Sequence, residues 1–416
     1  MTPTARSEAA APALLSPERD RASRYRFVIE AVLFLTYAAF GVSWIAVTPL
    51  LPELGDALGA RGAELALLNT AVSAAKIIAP LVGGWAALRF GVKRTILAGA
   101  LCVLACAATP LCASLAPALA ARFVFGLGGA VIVTLLGPAV MPWFSRDELP
   151  IVNALNNVAV NTGIAVTLFS TVPLAARLGW RRTLFAYAAV NAACAVAWAL
   201  LGRDRPAQPA AAVAAAPPSM ARYSDVWRRR ETWLLTVAFA APLALYLALN
   251  TWLPSHAVAA FGLTREAAAR LTGLVNLVGI PAAIAGGLLT KRFGLRRPFL
   301  IGAGLAVGTG GLAIVLSPWP ELRLVAAVVL GLGFFIAASP LFTTLMELPG
   351  VGPREVALTM GTLLSASYLV SSLSPLVVGW LHDRTGSYLP GLVGWAVAAY
   401  SLAVAGALLP ETGPRR

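Results

Sequence analysis

The sequence predicts an all-α integral membrane protein whose twelve spans form two pseudo-symmetric six-helix bundles, and three observations carry that expectation. Of the 416 residues 59% are hydrophobic and only 12% are charged, with a mean hydropathy of +0.78, more apolar than a water-soluble core requires. Windows of roughly 20 apolar residues, long enough at about 1.5 Å per residue to cross hydrocarbon, recur twelve times along the chain. Finally, the stretch GGWAALRFGVKR at 83–94 returns in altered form as GGLLTKRFGLRR at 286–297.

The expected spans are 27–50, 66–88, 95–116, 118–143, 151–175, 182–201, 232–255, 268–290, 298–317, 321–346, 356–380 and 387–409. Each has to be a helix, because an open strand or loop in hydrocarbon leaves backbone amides and carbonyls unpaired. Pro49, Pro80, Pro138, Pro173, Pro281, Pro340 and Pro375 fall inside or near span ends, where they predict kinks rather than breaks. The organisation is a cytoplasmic N-terminal tail (1–26), a first bundle (27–201), a linker (202–231) and a second bundle (232–416). The tail's short apolar run is followed by Arg19, Arg21, Arg24 and Arg26, the pattern of a retained segment rather than a cleaved signal. The linker places Pro and Ala ahead of a basic run, with a surface helix expected near Tyr223–Trp227. Cys102, Cys106, Cys112 and Cys194 all lie within spans, without zinc or disulfide spacing, and are read as packing residues.

The net charge of +14 could suggest nucleic acid, but its distribution follows topology. With the N-terminus in the cytoplasm, 22 Lys and Arg fall on cytoplasmic segments and 8 on the opposite loops. The positive-inside rule thus places both termini in the cytoplasm and the chain in a bacterial-type inner membrane, with the lipid bilayer and not nucleic acid as its surroundings.

The repeat has a fixed offset of 203 residues: Gly84 to Gly287, Arg89 to Arg292, Gly91 to Gly294, Lys93 to Arg296 and Arg94 to Arg297. Each copy sits between the second and third span of its half, as expected for parallel six-helix repeats. Both copies resemble G-x-x-x-D-R-x-G-R-[RK], the signature of the major facilitator superfamily, and Arg122, Gly126 and Gly128 resemble its second signature, R-x-x-x-G-x-G. The resemblance implies the superfamily's twelve-helix fold and alternating access, with a gating motif at Gly84, Arg89, Gly91, Lys93, Arg94, Gly287, Arg292, Gly294 and Arg296. The motif's acidic position is Leu88 in one copy and Lys291 in the other, and Val92 and Leu295 replace a basic residue. That departure implies a weakened or rebuilt latch for the outward-facing state. The family's Gly-Pro-rich antiporter signature is also missing from the fifth span, which argues against a drug/proton antiporter. The rhythm of WFSRDELPIVNALNNVAVNTGIAV resembles bacterial permeases for small anions such as cyanate or nitrate.

Polar residues inside spans mark the expected pathway. Asn69, Ser73 and Lys76 share one face of the second span, and Glu30, Tyr37, Trp44 and Thr48 lie along the first. The fifth span carries Asn153, Asn157 and Asn161, the seventh Tyr246 and Asn250, the eighth Asn276, and the eleventh Ser365, Tyr368 and Ser372. Interhelical hydrogen bonding is the alternative role for each Asn. Lys76 stands near mid-span, where an ammonium costs several kcal/mol unless it is paired or solvated. Arg122 adds a cation that keeps its charge. No acid lies at mid-span, since Glu30 and Glu347 fall near span ends and Glu30 can pair with Arg26. The missing counter-charge is therefore expected to be the cargo.

The sequence accordingly reads as a monomeric secondary active transporter of a small anionic solute, with Glu30 and Arg122 as coupling candidates and a proton as the candidate co-substrate. The rival reading is proton-coupled efflux of an amphipathic metabolite, siderophore or drug, with Phe40, Trp44, Phe334 and Phe335 as its apolar lining. No nucleotide-binding motif, metal-ligand cluster or catalytic pair is visible, so neither an enzyme nor a cofactor is expected.

Overall fold

The computed structural model describes residues 17–144, 148–204, 226–348 and 353–413. All regular elements among them are helical. The first six long helices are α1 (Pro17–Ile45), α2 (Ala63–Phe90), α3 (Val92–Val103), α4 (Leu115–Val140), α5 (Leu149–Leu178) and α6 (Trp180–Leu201). The second six are α7 (Arg230–Phe261), α8 (Arg265–Phe293), α9 (Arg297–Leu316), α10 (Pro320–Glu347), α11 (Pro353–Thr385) and α12 (Leu389–Ala398). A further helical stretch, Ser401–Leu408, continues α12, and 3-10 turns at Leu104–Leu111 continue α3. Among the described residues eleven helical segments are long and apolar enough to cross a membrane. The 28-residue α2 is the twelfth long helix of the bundle, and at about 1.5 Å per residue it is also long enough to cross.

Several boundaries differ from expectation. The first helix begins at Pro17, inside the expected tail, because its polar first turns continue the helix beyond the apolar stretch. Pro49 marks a break rather than a kink. The helix α1 stops at Ile45, a 3-10 turn covers Thr48–Leu50, and a separate short helix runs Leu51–Leu58 to a left-handed Gly59. Proline removes a backbone donor, and here the chain turns where that donor is missing. Pro138, Pro173, Pro281, Pro340 and Pro375 remain inside their helices. The surface helix expected near Tyr223–Trp227 falls largely outside the described residues.

The two halves repeat one packing scheme. In the first, α1 packs on α5 and α6, and α4 packs on α2 and α3; in the second, α7 packs on α11 and α12, and α10 packs on α8 and α9. Paired glycines set both α4 and α10 against their neighbours. A Cβ on Gly126 would lie 2.7 Å from the Val72 backbone, and one on Gly128 would lie 2.3 Å from the Gly99 carbonyl. In the second half, a Cβ on Gly331 would lie 2.7 Å from the Val275 carbonyl and one on Gly333 3.0 Å from that of Ala303. Close approach of backbones is what small residues provide where lipid removes the hydrophobic drive between helices. The halves meet reciprocally, α2 against α11 and α5 against α8.

Candidate functional site

With twelve long helices, the start of α1 and the close of the last described helix lie at one end of the bundle, and the opposite end is held shut between the halves. Arg265, the first residue of α8, donates 2.8 and 2.7 Å hydrogen bonds to both Glu53 carboxylate oxygens and a 2.6 Å bond to the Pro49 carbonyl. The backbone N–H of Ala63 donates to Asp383 of α11 at 2.9 Å, and the Thr70 hydroxyl donates to the Ser372 carbonyl at 2.9 Å. Deeper, the Asn69 amide donates to Thr48 at 3.1 Å and Thr251 at 3.3 Å, tying the two halves together. Every hydrogen bond between halves found among the described residues lies at this far end or at mid-depth.

Arg122 is the keystone of the first half and is 1% exposed. Its Nε donates to the Leu68 carbonyl of α2 at 3.0 Å, Nη1 to the Ser43 carbonyl of α1 at 2.9 Å, and Nη2 to the Trp44 carbonyl and to Asn69 Oδ1. A guanidinium fork suits several carbonyls at once in a way an ammonium does not. The arginine therefore fixes the end of α1 that carries Trp44 to the part of α2 that leads into Lys76.

Lys76 is 6% exposed and lies beneath a set of aromatic rings. Its Nζ sits 3.5 Å from the Trp44 ring centroid, 5.7 Å from Phe40 and 5.5 Å from Tyr368 of α11, so both halves contribute to the cage. Ring faces stabilise a desolvated cation but accept none of its three N–H donors in the manner of an oxygen. Among the described residues no carboxylate pairs with it. Phe40 is held by stacking on Phe125 at 4.7 Å, and Gly129 leaves it room, since a Cβ there would lie 2.0 Å from the ring.

Next to the cage is an uncharged cluster. The Tyr246 hydroxyl lies 3.0 Å from Asn161 Oδ1 and within hydrogen-bond reach of Asn276 Oδ1. The Asn276 amide in turn donates to Asn250 Oδ1 at 3.0 Å. Tyr246 stacks on Phe334 at 4.7 Å and meets Phe335 edge-on. Tyr37 stacks parallel to Phe40 at 5.9 Å. Ser73 donates back to the Asn69 carbonyl.

The structure thus brings together Lys76, Tyr37, Tyr368, Asn161, Tyr246, Asn250 and Asn276 at the interface of the halves. Asn69 and Arg122 instead bond to protein partners toward the far end. The side chains of Asn153 and Asn157 lie outside the described residues. Glu30 departs from expectation. Arg26 pairs with Glu148 at 3.0 Å rather than with Glu30, while Glu30 accepts a 3.3 Å bond from Asn156, a residue the spacing argument passed over. Glu30 is 8% exposed, and its Oε1 has no partner among the described residues.

The repeated motif also resolves. The helix α2 turns into α3 at Gly91 (φ +86°), and Gly294 (φ +62°) makes the corresponding turn after α8, a backbone geometry that disfavours any side chain. Gly84 contributes no close approach, because a Cβ there would meet nothing within 4 Å; Gly286 does, at 2.8 Å from the Ile336 carbonyl. The side chains of Leu88 and Lys291 lie outside the described residues, but carboxylates reach the motif from elsewhere. Asp204, just past α6, accepts the Lys93 backbone N–H at 2.7 Å. Glu411, just past the last helix, accepts those of Arg296 and Arg297 at 2.8 and 3.0 Å. The Arg296 guanidinium also pairs with Glu347 at 3.1 and 3.0 Å, and Arg297 reaches the Ala407 carbonyl. Arg89, Arg94 and Arg292 are exposed.

Twelve membrane-crossing helices in two repeated bundles, with a polar, one-lysine centre between them, define a polytopic transporter fold. The family model described as Major Facilitator Superfamily matches residues 33–375, and the chain belongs to that superfamily. It is 26% identical to a probable sulfoacetate transporter of Cupriavidus necator, over 89% of this chain and 91% of that one. It is 25% identical to the nitrite extrusion protein of Bacillus subtilis, over 69% of each chain. It is also 25% identical to the 2-nitroimidazole transporter of Escherichia coli, over 92% and 95%. The crystal structure of a D-xylose-proton symporter superposes with a TM-score of 0.71, covering 94% of this chain and 98% of that one at 13% identity. The chain is a transporter of this superfamily and not an enzyme.

Proposed function

We propose that the protein moves a small anionic solute across the inner membrane by alternating access of its two bundles, with both termini in the cytoplasm. The observation that carries the reading is Lys76: an interface ammonium held by three aromatic rings, with no carboxylate partner among the described residues. An anion entering the site completes the charge pair, and it lies against a cluster of amides and hydroxyls suited to orient it. Arg122 is committed to three carbonyls and an amide, so Lys76 is the cation free to meet cargo. The sulfoacetate and nitrite transporters among the relatives, whose named solutes are small oxyanions, agree with this class. The basic residues on the termini side support the orientation.

For coupling we propose a proton carried on Glu30, whose buried carboxylate faces a neutral amide and has one oxygen free. The monomer is taken as the working unit, since each chain holds a complete site between its own halves. Efflux of an amphipathic solute is the second reading, favoured by the rings of Phe40, Trp44, Tyr246 and Phe334 and by the 2-nitroimidazole transporter among the relatives.

Counterflow in proteoliposomes separates the readings. Nitrate, nitrite, acetate, sulfoacetate and 2-nitroimidazole are offered to the wild type and to Lys76→Gln. Saturable exchange of an anion that Lys76→Gln abolishes supports the proposal, whereas exchange of 2-nitroimidazole alone, unchanged in the variant, overturns it.

A further inference from the structure

The Lys76 cage contains a second donor with nothing to donate to. Trp44 is 5% exposed, and its indole Nε1–H has no hydrogen-bond partner among the described residues. Buried indole N–H groups find an acceptor as a rule, because a donor left desolvated and unpaired loses its bonds to water and gains none in return. Here the donor belongs to the ring over which the Lys76 ammonium lies, 3.5 Å from its centroid. Two adjacent buried groups, one charged and one neutral, therefore offer N–H donors and lack an oxygen.

We infer that Trp44 Nε1 and Lys76 Nζ form a two-point site for an oxyanion. This inference rests on the Lys76 reading and adds to it the residue that distinguishes an oxyanion from a bare negative charge. The indole N–H points outward in the plane of its ring and the ammonium stands above that plane. A carboxylate, nitrate or sulfonate carries enough oxygens to offer one to each donor. The surroundings hold the indole for this task. The Trp44 carbonyl is fixed by Arg122, Phe40 packs on the indole at 5.7 Å, and Gly129 keeps the space behind Phe40 open. Arg122 is thus a positioning residue, acting on the anion through the backbone of Trp44 rather than by touching it.

The test uses purified full-length protein labelled with 15N at its tryptophan indoles, eleven signals in all. Trp44→Phe keeps a ring above Lys76 while deleting the N–H, and so assigns the Trp44 signal. Nitrate, acetate and sulfoacetate are the probes, with acetamide as the neutral control. The expected result is a saturable downfield shift of the Trp44 indole proton with an oxyanion and none with acetamide. Trp44→Phe is expected to weaken oxyanion binding at least about tenfold, the loss of one hydrogen bond to a charged group. A Trp44 signal that stays in place while binding saturates overturns the indole assignment, as does Trp44→Phe binding with wild-type affinity. If Lys76→Gln binds as the wild type does, the underlying anion reading fails instead. Absence of binding by all three anions overturns both.

Discussion

Breaking the far-end clasp between Arg265 and Glu53 is expected to shift the protein toward the state open at that end. Arg265 opens α8, where the positive end of the helix dipole disfavours a cation, and the bidentate Glu53 contact offsets that repulsion. Both side chains are partly exposed, at 43% and 29%, so the contribution is that of a well-formed surface pair, about 0.5–1 kcal/mol, and not that of a buried one. Glu53→Gln retains one hydrogen bond and removes the charge, and the ratio of open to closed far end is expected to rise about two- to fivefold. Spin labels on Asp56→Cys and Leu322→Cys, exposed positions on opposite halves, report that ratio as the weight of the longer distance in a dipolar EPR measurement. The charge-swapped pair Glu53→Arg with Arg265→Glu is expected to recover part of the closed population. An unchanged distance distribution in Glu53→Gln refutes the clasp.

Other perturbations follow from the same contacts. Gly126→Val forces α4 away from the Val72 backbone, and overpacking of this kind costs about 1–3 kcal/mol. A lower melting temperature and weaker anion binding are expected together, since α2 carries Lys76. Arg122→Lys keeps the charge but loses the fork that binds the Leu68, Ser43 and Trp44 carbonyls, so it is expected to lower thermal stability as far as Arg122→Gln does, within about 1 kcal/mol. Full recovery by Lys argues that only charge matters there. Glu411 gives a pH dependence. Burial raises its carboxyl, but hydrogen bonds from the backbone N–H groups of Gly413, Arg296 and Arg297 outweigh this and hold it below the ordinary 4.5. A lowered carboxyl stabilises the fold above pH about 4.5 and loses that contribution as the pH falls through its folded value. The melting temperature of the wild type is therefore expected to fall more steeply than that of Glu411→Gln in this range, and parallel curves contradict the capping role.

Much of this architecture was legible because a bilayer restricts the choices. Apolar length locates the spans, and the repeat at 83–94 and 286–297 divides the chain into halves. Lys76 and Arg122 stand out because hydrocarbon penalises them, and the side chains of Asn161, Tyr246, Asn250 and Asn276 meet at the interface of the halves. Long-range partners were not legible. Arg26 sits four residues before Glu30, which favours a local pair, yet tertiary packing delivers Glu148 to Arg26 and Asn156 to Glu30. The carboxylates that reach the motif, Asp204 and Glu411, likewise come from more than a hundred residues away. The glycine pair at Gly331 and Gly333 repeats that at Gly126 and Gly128, but without the arginine only the fold makes the correspondence visible. Trp44 reads in the sequence both as a pathway residue and as apolar lining, and its polar edge stands out because the fold leaves that edge without an acceptor among the described residues.

The central claim is that Lys76 awaits an anion, and ligand stabilisation tests it without assuming a transport direction or coupling ion. A ligand that binds only the folded protein stabilises it by about 2.7 kcal/mol at a hundredfold excess over its dissociation constant. Heating purified wild type and Lys76→Gln with and without saturating nitrate, acetate or sulfoacetate is expected to show a raised melting temperature in the wild type alone. An equal rise in both proteins would contradict the account.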